Sequence, residues 1–246
     1  MMMLKRAVKE TVKHGARALG YQVRSLGPDA MAEALKVLRS AGLDPRVVID
    51  VGVHAVGTPE LYATFPNAKH VLIEPAREFE PAIRKLTAGL KDCELIIAAA
   101  SDREGQGTLR ITRNSYVHTS LVQGGGREAG YDYEDVPLVT VAQICRERGL
   151  TGPFLLKVDV DGVDLDVLKG AADIIDQIDV VIVEAPVDAL LERANYLKQH
   201  GMMLWGIVDP VYFDQKLWQV DLIFVSERLK SNPAFRPWAD PAFKYA

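Results

Sequence analysis

The chain has 246 residues, of which 48% are hydrophobic and 25% charged, and its formal net charge at pH 7 is −4. These values are typical of a globular protein with a sizeable core, and the negative charge gives no electrostatic case for nucleic acid as the main partner. No apolar run approaches the roughly 18 residues of a transmembrane helix, and Cys93 and Cys145 form neither a disulfide framework nor a zinc motif. We therefore expect a cytoplasmic protein, and the sequence does not indicate its oligomeric state.

The beginning of the chain is strongly basic. Residues 1–25 carry a net charge of +5 and the remainder −9. Apolar residues recur there at helical spacing, which is compatible with weak contact to a membrane surface or with packing on the body of the protein. The thin apolar face favours packing. A second amphipathic helix is predicted over 28–43, so that residues 1–43 form a helical N-terminal extension.

From residue 46 onward, short apolar runs alternate with helical patterns. Continuous apolar strands separated by helices predict a mostly parallel α/β sheet with helices on both faces, and two final runs without a helix between them predict an antiparallel end. We predict one Rossmann-like domain over 44–230 and a C-terminal tail over 231–246. The predicted strands are 47–52, 70–75, 94–101, 154–160, 180–185, 202–208 and 220–227; the predicted helices are 58–65, 78–90, 141–150, 164–178 and 188–201.

Residues 102–140 show no helical pattern. A strand is predicted over 107–114, followed by a mobile loop over 119–137 that is rich in glycine, tyrosine and acids. Long loops in compact domains are usually functional or disordered. A lid over a binding site and a surface insertion therefore both remain open.

Polar residues follow nearly every predicted strand of the sheet. In open parallel sheets, ligands bind outside the carboxyl ends of the strands, so these residues should meet at one edge. Five acidic strand ends together predict a ligand with hydroxyl groups or positive charge. The strand-end residues are Asp50 and Gly52, Glu74, Ser101 and Asp102, Asp159 and Asp161, and Glu184.

The glycine spacing after the first strand helps to choose the cofactor. Gly52 and Gly57 are spaced G-x-x-x-x-G, unlike the dinucleotide fingerprint G-x-G-x-x-G. Residues 48–68 contain no lysine or arginine, and Glu60 opens the following helix, where it would repel a pyrophosphate. S-adenosylmethionine has no phosphate and carries cationic groups, so the acids favour it, with Glu74 on the ribose hydroxyls. An NAD(P)-dependent oxidoreductase is the alternative.

These motifs resemble the FkbM-type methyltransferases, a class I S-adenosylmethionine-dependent family, from about Val47 to Glu184. The resemblance implies methylation of a hydroxyl oxygen on a small molecule, a sugar, a lipid or a polyketide-like acceptor. In two departures, His54 stands where the family often has asparagine, and Asp161 where it usually has glutamate. The resemblance is carried by VVIDVGVHAVGTPELY, VLIEP, AAASDREGQGTL, TSL at 119–121, LLKVDVDGVDLDVLKGA and VVIVEA.

The run DVDGVDLD over 159–166 is not an EF-hand, because its glycine comes fourth and its twelfth position is Gly170 instead of glutamate. We interpret Asp164 and Asp166 as acids favoured by the start of a helix. Lys157, Asp159 and Asp161 share one face of an apolar strand. That placement favours an active-site role over a purely structural lysine–carboxylate pair.

Two residues are candidates for the general base, Asp161 and His118. Alternatively, Asp159, Asp161 and a third carboxylate could hold Mg²⁺ to acidify the acceptor hydroxyl, and the spacing does not decide between these mechanisms. A non-catalytic module that binds the cofactor is a further alternative. The candidate cofactor-binding residues are Asp50, Gly52, His54, Glu74, Ser101, Asp102 and Asp159, where His54 either contacts the methionine part or replaces asparagine structurally.

Overall fold

A seven-stranded sheet forms the centre of the protein, in the order β3-β2-β1-β8-β9-β11-β10. The structure is a computed structural model that describes residues 30–112, 115–122 and 128–232, with residues 115–119 described by their backbone alone. The predicted basic helix of residues 1–25 and most of the predicted C-terminal tail lie outside these ranges. The strands of this sheet are β1 Val47–Val51, β2 Lys69–Ile73, β3 Cys93–Ile96, β8 Phe154–Val158, β9 Ile178–Pro186, β10 Met202–Phe213 and β11 Lys216–Ser226.

The pairing confirms the predicted mixed sheet. Strands β3, β2, β1, β8 and β9 are parallel, whereas β11 pairs antiparallel with both β9 and β10. The central strands are buried on both faces, which is why they appear in the sequence as continuous apolar runs. The helices are α1 Met31–Ser40, α2 Pro59–Thr64, α3 Glu80–Leu86, α4 Val141–Glu147, α5 Asp164–Lys169, α6 Leu190–Gln199 and α7 Glu227–Lys230, with 3₁₀ turns at Arg77–Phe79 and Ala172–Gln177.

Strand alternation divides the core into two layers. Val47, Ile49 and Val51 pack into the layer that contains α4, α5 and α6. Val48 points into the opposite layer, which contains α1, α2 and α3. Because α1 buries Leu35 and other apolar side chains in that layer, this part of the predicted N-terminal extension packs directly on the sheet.

A second, four-stranded sheet includes residues 119–121 and 131–137 of the predicted loop, so that prediction was wrong there, whereas residues 123–127 lie outside the described ranges. Its order is β4-β7-β5-β6, and its small core includes Leu109, Val136 and Leu138. The tyrosines and acids of β7 obscured the alternation that buries Val136 and Leu138 on one face. The predicted strand 94–101 is correspondingly broken into β3 and β4, which belong to different sheets. The strands are β4 Ala99–Ala100, β5 Gly105–Thr112, β6 Ser115–Leu121 and β7 Tyr131–Val139.

Gly52 allows the carboxyl ends of β1 and β8 to approach each other closely. Its φ angle is +83°, and a Cβ atom at this position would lie 1.8 Å from the carbonyl oxygen of Asp159. That oxygen belongs to the backbone and cannot rotate away. The glycine therefore serves the contact between the two strand ends, in addition to any approach of a ligand.

Replacing Gly52 with alanine is expected to lower the free energy of unfolding by about 2–4 kcal/mol, because a left-handed backbone and a backbone clash combine. Urea denaturation measures the change. Gly89→Ala is the matched control, since its added Cβ meets nothing within 4 Å. Equal stability of the two variants would contradict this role for Gly52.

Candidate active site

A cavity of about 470 Å³ opens at the carboxyl ends of β1, β2 and β8. This volume lies in the range of pockets that hold drug-sized ligands, roughly 300–1,000 Å³. Predicted site residues from three strands line it together with one further acid from β9. These residues are Gly52, His54, Glu74, Asp159, Asp161 and Glu184.

Glu74 forms a rigid carboxylate on the wall of this cavity. Its Oε2 accepts the backbone N–H of His54 at 2.7 Å, and its Oε1 accepts that of Ala76 at 2.9 Å. Burial raises the pKa of Glu74, and the two backbone hydrogen bonds oppose that rise. Each carboxylate oxygen keeps a further lone pair, so the group can still accept hydroxyl donors.

His54 lies beside Glu74 with a positive φ of 51°. Its ring contacts Phe79, with 4.1 Å between the ring centroids. Its Nε2 is buried and has no hydrogen-bond partner among the described residues. The ring nitrogen is therefore suited to a polar atom of a bound ligand.

Asp50 lies beneath the cavity instead of on its wall. Its side chain is fully buried in the layer of α2, where it accepts a hydrogen bond from the Tyr62 hydroxyl at 2.6 Å. Burial raises the pKa of this carboxyl, and Lys157 opposes the rise. Strand alternation explains the position, because residue 50 faces the helical layer and not the strand ends.

Ser101 and Asp102 also lie away from the cavity wall, because the predicted strand breaks before them. Ser101 is buried, with its N–H donating to the Val139 carbonyl at 2.9 Å, and Asp102 pairs with Arg103 at 3.1 Å. Ala99 and Ala100 line the cavity instead. His118 lies in β6, and its side chain is not among those described.

A cluster of acids surrounds one buried cation, Lys157. Its Nζ lies 2.5 Å from Asp159 Oδ2, so the lysine–carboxylate pair that the sequence suggested as an alternative is formed. Burial opposes the charge of Lys157, but Asp50 and Asp159 outweigh burial and raise its pKa. The register of β8, β9 and β11 brings Glu184 and Asp221 to the same face of the sheet.

Glu184 and Asp221 retain protons at unusually high pH. Burial, together with the nearby Asp159 and Asp221, raises the pKa of Glu184 to about 8. Burial likewise raises the pKa of Asp221 to about 6, against the opposing Lys157. Glu184 also accepts a hydrogen bond from the amide of Gln219. The cavity thus contains a carboxyl group that exchanges protons near neutral pH.

Asp164 was interpreted from the sequence as a helix-start acid, and that interpretation is incomplete. The side chain is 1% exposed and pairs with Arg193, which is 4% exposed. Its other oxygen accepts the Val160 N–H at 3.2 Å. Asp164 thereby anchors the loop that carries Asp161 to helix α6.

Two signals in the sequence could have identified the residues that were missed, Arg193 and Asp221. Arg193 falls at helical spacing between Leu190 and Leu197, on the apolar stripe of α6, where a cation needs a buried partner. Asp221 interrupts the apolar part of β11 and pairs with Glu184, which the sequence did place among the strand-end acids. Among the described residues, no group of three or more His, Cys, Asp or Glu side chains is arranged to hold a metal ion.

The sheet order, with one antiparallel strand inserted beside its end, and the cavity at the strand ends define a class I methyltransferase fold. The profile of the methyltransferase FkbM domain matches residues 50–202. The chain therefore belongs to the FkbM methyltransferase family. This membership implies S-adenosylmethionine as the methyl donor. No curated protein matches the chain.

Several solved structures are similar to the chain. A precorrin-6y C5,15-methyltransferase from Geobacter metallireducens is 12% identical, with a TM-score of 0.44, and the alignment covers 82% of this chain and 92% of that one. An rRNA methylase from Streptococcus thermophilus is 12% identical, with a TM-score of 0.45, and the alignment covers 82% of this chain and 99% of that one.

Within the part of the chain that the structure describes, no helix is long and apolar enough to cross a membrane.

Asp164→Asn should lower the free energy of unfolding by about 3–5 kcal/mol, because it leaves the guanidinium of Arg193 buried without its counter-charge. The control is Asp166→Asn on the same helix, whose partner Lys169 is solvent-exposed. That change should cost no more than about 0.5 kcal/mol. Urea denaturation of both variants makes the comparison, and equal losses would contradict a buried pair.

Proposed function

We propose that the protein transfers a methyl group from S-adenosylmethionine to a hydroxyl oxygen of a small-molecule acceptor bound in this cavity. The observation that carries the proposal is the convergence of Glu74, Asp159, Asp161 and Glu184 on one cavity at the sheet edge. These acids suit a ligand that combines ribose hydroxyls with positive charge. Family membership also favours this function over a nicotinamide-dependent oxidoreductase.

The residues on the cavity wall fit the cofactor. Glu74 would hold the ribose hydroxyls, since its carboxylate is fixed by two backbone hydrogen bonds and keeps free lone pairs. His54 Nε2, which is buried and has no partner among the described residues, would contact a polar atom of the methionine part. Asp159 would add negative charge beside the cationic groups. Asp50 would act from below, by fixing Lys157 and Tyr62.

When bound, S-adenosylmethionine supplies a methyl group that is already activated by the sulfonium charge. The remaining task of the protein is to orient the acceptor hydroxyl and to take up its proton. Asp161, which is exposed on the cavity wall, would receive that proton on a carboxylate oxygen. His118 remains a second candidate from β6. The described residues do not form a site for Mg²⁺, so no step is assigned to a metal.

The acceptor is proposed to be small and hydroxylated. Structures similar in fold include RNA methyltransferases, but the acids at this cavity would repel a phosphate backbone.

Cys93 and Cys145 are both unpaired, which supports the proposed cytoplasmic location.

A non-catalytic module is the second candidate, and it would bind the cofactor without transferring its methyl group to any acceptor.

Glu74→Gln should weaken the binding of S-adenosylhomocysteine by about 1–3 kcal/mol, because the hydrogen bonds from the ribose lose their charged acceptor. Isothermal titration calorimetry measures the change. Glu78→Gln, at an exposed position four residues on, is the control and should bind like the wild type. Binding of NAD with none of S-adenosylhomocysteine would overturn the proposed cofactor.

Asp161→Asn should reduce the transfer of radiolabelled methyl by roughly 10²–10⁴-fold, the usual effect of removing a positioned base. The assay uses acceptors from a hydroxylated panel on which the wild type is active. Cofactor affinity and melting temperature should stay nearly intact, and both should be unchanged in the exposed control Asp188→Asn. A destabilised but fully active Asp161→Asn would show that the residue is structural.

A further inference from the structure

The hairpin of β10 and β11 extends beyond the rest of the central sheet. The last pairing of β11 with β9 joins Gln219 to Pro186. The hairpin continues to a tight turn at Asp214 and Gln215, whose φ angles are +48° and +63°. Sequence reasoning predicted two shorter strands here and missed this extension, which lies on the same edge of the sheet as the cavity.

The extended part of this hairpin is apolar and exposed. Phe213 is 73% exposed, Tyr212 63% and Trp218 60%, and Val211 and Leu217 are also exposed. Val211 and Phe213 lie on one face of β10 together with Trp218, which contacts Phe213, whereas Tyr212 pairs with Leu217 on the opposite face. Contiguous apolar surface such as that of the first face usually marks a binding site. We call Val211, Phe213 and Trp218 the hairpin patch.

The hairpin patch is continuous with the cavity through Trp218. Trp218 lines the cavity together with Gln219, the residue that donates a hydrogen bond to Glu184. The ring of Phe213 lies 6.5 Å from that of Trp218, in an edge-to-face arrangement. A ligand in the acidic cavity can therefore extend along apolar side chains toward the hairpin turn.

The hairpin is poorly suited to pairing with a second copy of the chain. Pro210 lacks an N–H, Asp209 has a φ of +48°, and the ladder between β10 and β11 is interrupted by bulges. Such features prevent edge-to-edge association of strands. The charges of the hairpin also disfavour an anionic lipid surface, because Asp209 and Asp214 outnumber its single lysine, Lys216.

We propose that the hairpin patch binds the apolar part of the acceptor, so that the acceptor is an amphiphile whose hydroxyl lies next to a hydrocarbon or aromatic portion. This inference rests on the proposed function, since it assigns the acceptor of the same cavity. The hydroxyl would lie among the acids and the apolar portion along Trp218 and Phe213. The patch would then select acceptors by hydrophobic contact.

The test uses n-alkyl β-D-glucosides from hexyl to octyl, below their critical micelle concentrations, with S-adenosylhomocysteine present. NMR titration of the tryptophan indole signals gives the dissociation constants. For the wild type, each added methylene should tighten binding about two- to fourfold, as expected for partial to full burial of a CH₂ group. Phe213→Ser should largely remove this dependence, whereas Val37→Ser, an exposed apolar position on α1, should preserve it.

Several outcomes would overturn this inference. Chain-length dependence could be absent, or it could be the same in Phe213→Ser. Chain-length dependence could also appear only after deletion of residues 1–29, which would identify that segment as the occupant of the patch. The segment leads to Met31, whose N–H donates to Asp209 at the base of the hairpin. Sedimentation showing a dimer that Phe213→Ser dissociates would instead identify an interface between copies. Pelleting with phosphatidylglycerol vesicles, lost in Phe213→Ser, would identify a membrane contact.

The affinity for S-adenosylhomocysteine separates this inference from the proposed function. Phe213 does not line the cavity, so Phe213→Ser should bind S-adenosylhomocysteine like the wild type. A wild type that binds none would contradict the proposed function itself. A wild type that binds S-adenosylhomocysteine but shows no chain-length dependence would contradict only the amphiphilic acceptor.

Discussion

The site depends on the interaction of the buried ammonium group of Lys157 with the carboxyl groups around it. A lone cation inside a sheet is strongly unfavourable, and this one is accommodated because Asp50 lies level with it on β1 and Asp159 follows on its own strand. The side chains of Glu184 and Asp221 face the same layer two residues further along. One lysine thus permits several carboxyl groups to share a small volume at the carboxyl edge of the sheet.

In this arrangement, the residues that hold the site in place differ from those that a ligand can contact. Asp50, Tyr62 and the Asp164–Arg193 pair are buried, and they fix the strand ends and the loop between β8 and α5. Glu74 and Asp161 face the cavity, where a ligand can reach them. Burial, together with the nearby Asp159 and Asp221, raises the pKa of Glu184 to about 8, so the net charge of the cavity changes near neutral pH.

Much of this could be predicted from the sequence, for a definite physical reason. Parallel strands buried on both faces leave continuous apolar runs, and their carboxyl ends collect at one edge, so Glu74, Asp159 and Asp161 were correctly placed together. Ser101 and Asp102 were misplaced because a strand break at 97–98 leaves no signal in an apolar run. The second sheet was missed because its strands are rich in polar residues. Strand alternation indicates that Asp50 faces the same helical layer as Val48, beneath the cavity.

We infer that the acids around Lys157 favour a cationic cofactor. The sharpest test of this inference compares the affinities of S-adenosylmethionine and S-adenosylhomocysteine between pH 6 and 9, in the wild type and in Glu184→Gln. The sulfonium charge distinguishes the two ligands. The titration of each ligand's own groups is the same for both proteins, so it cancels when the two proteins are compared. We expect the preference for S-adenosylmethionine to increase with pH more in the wild type than in the variant, because Glu184 ionises in this range. The same pH dependence in both proteins would contradict the claim.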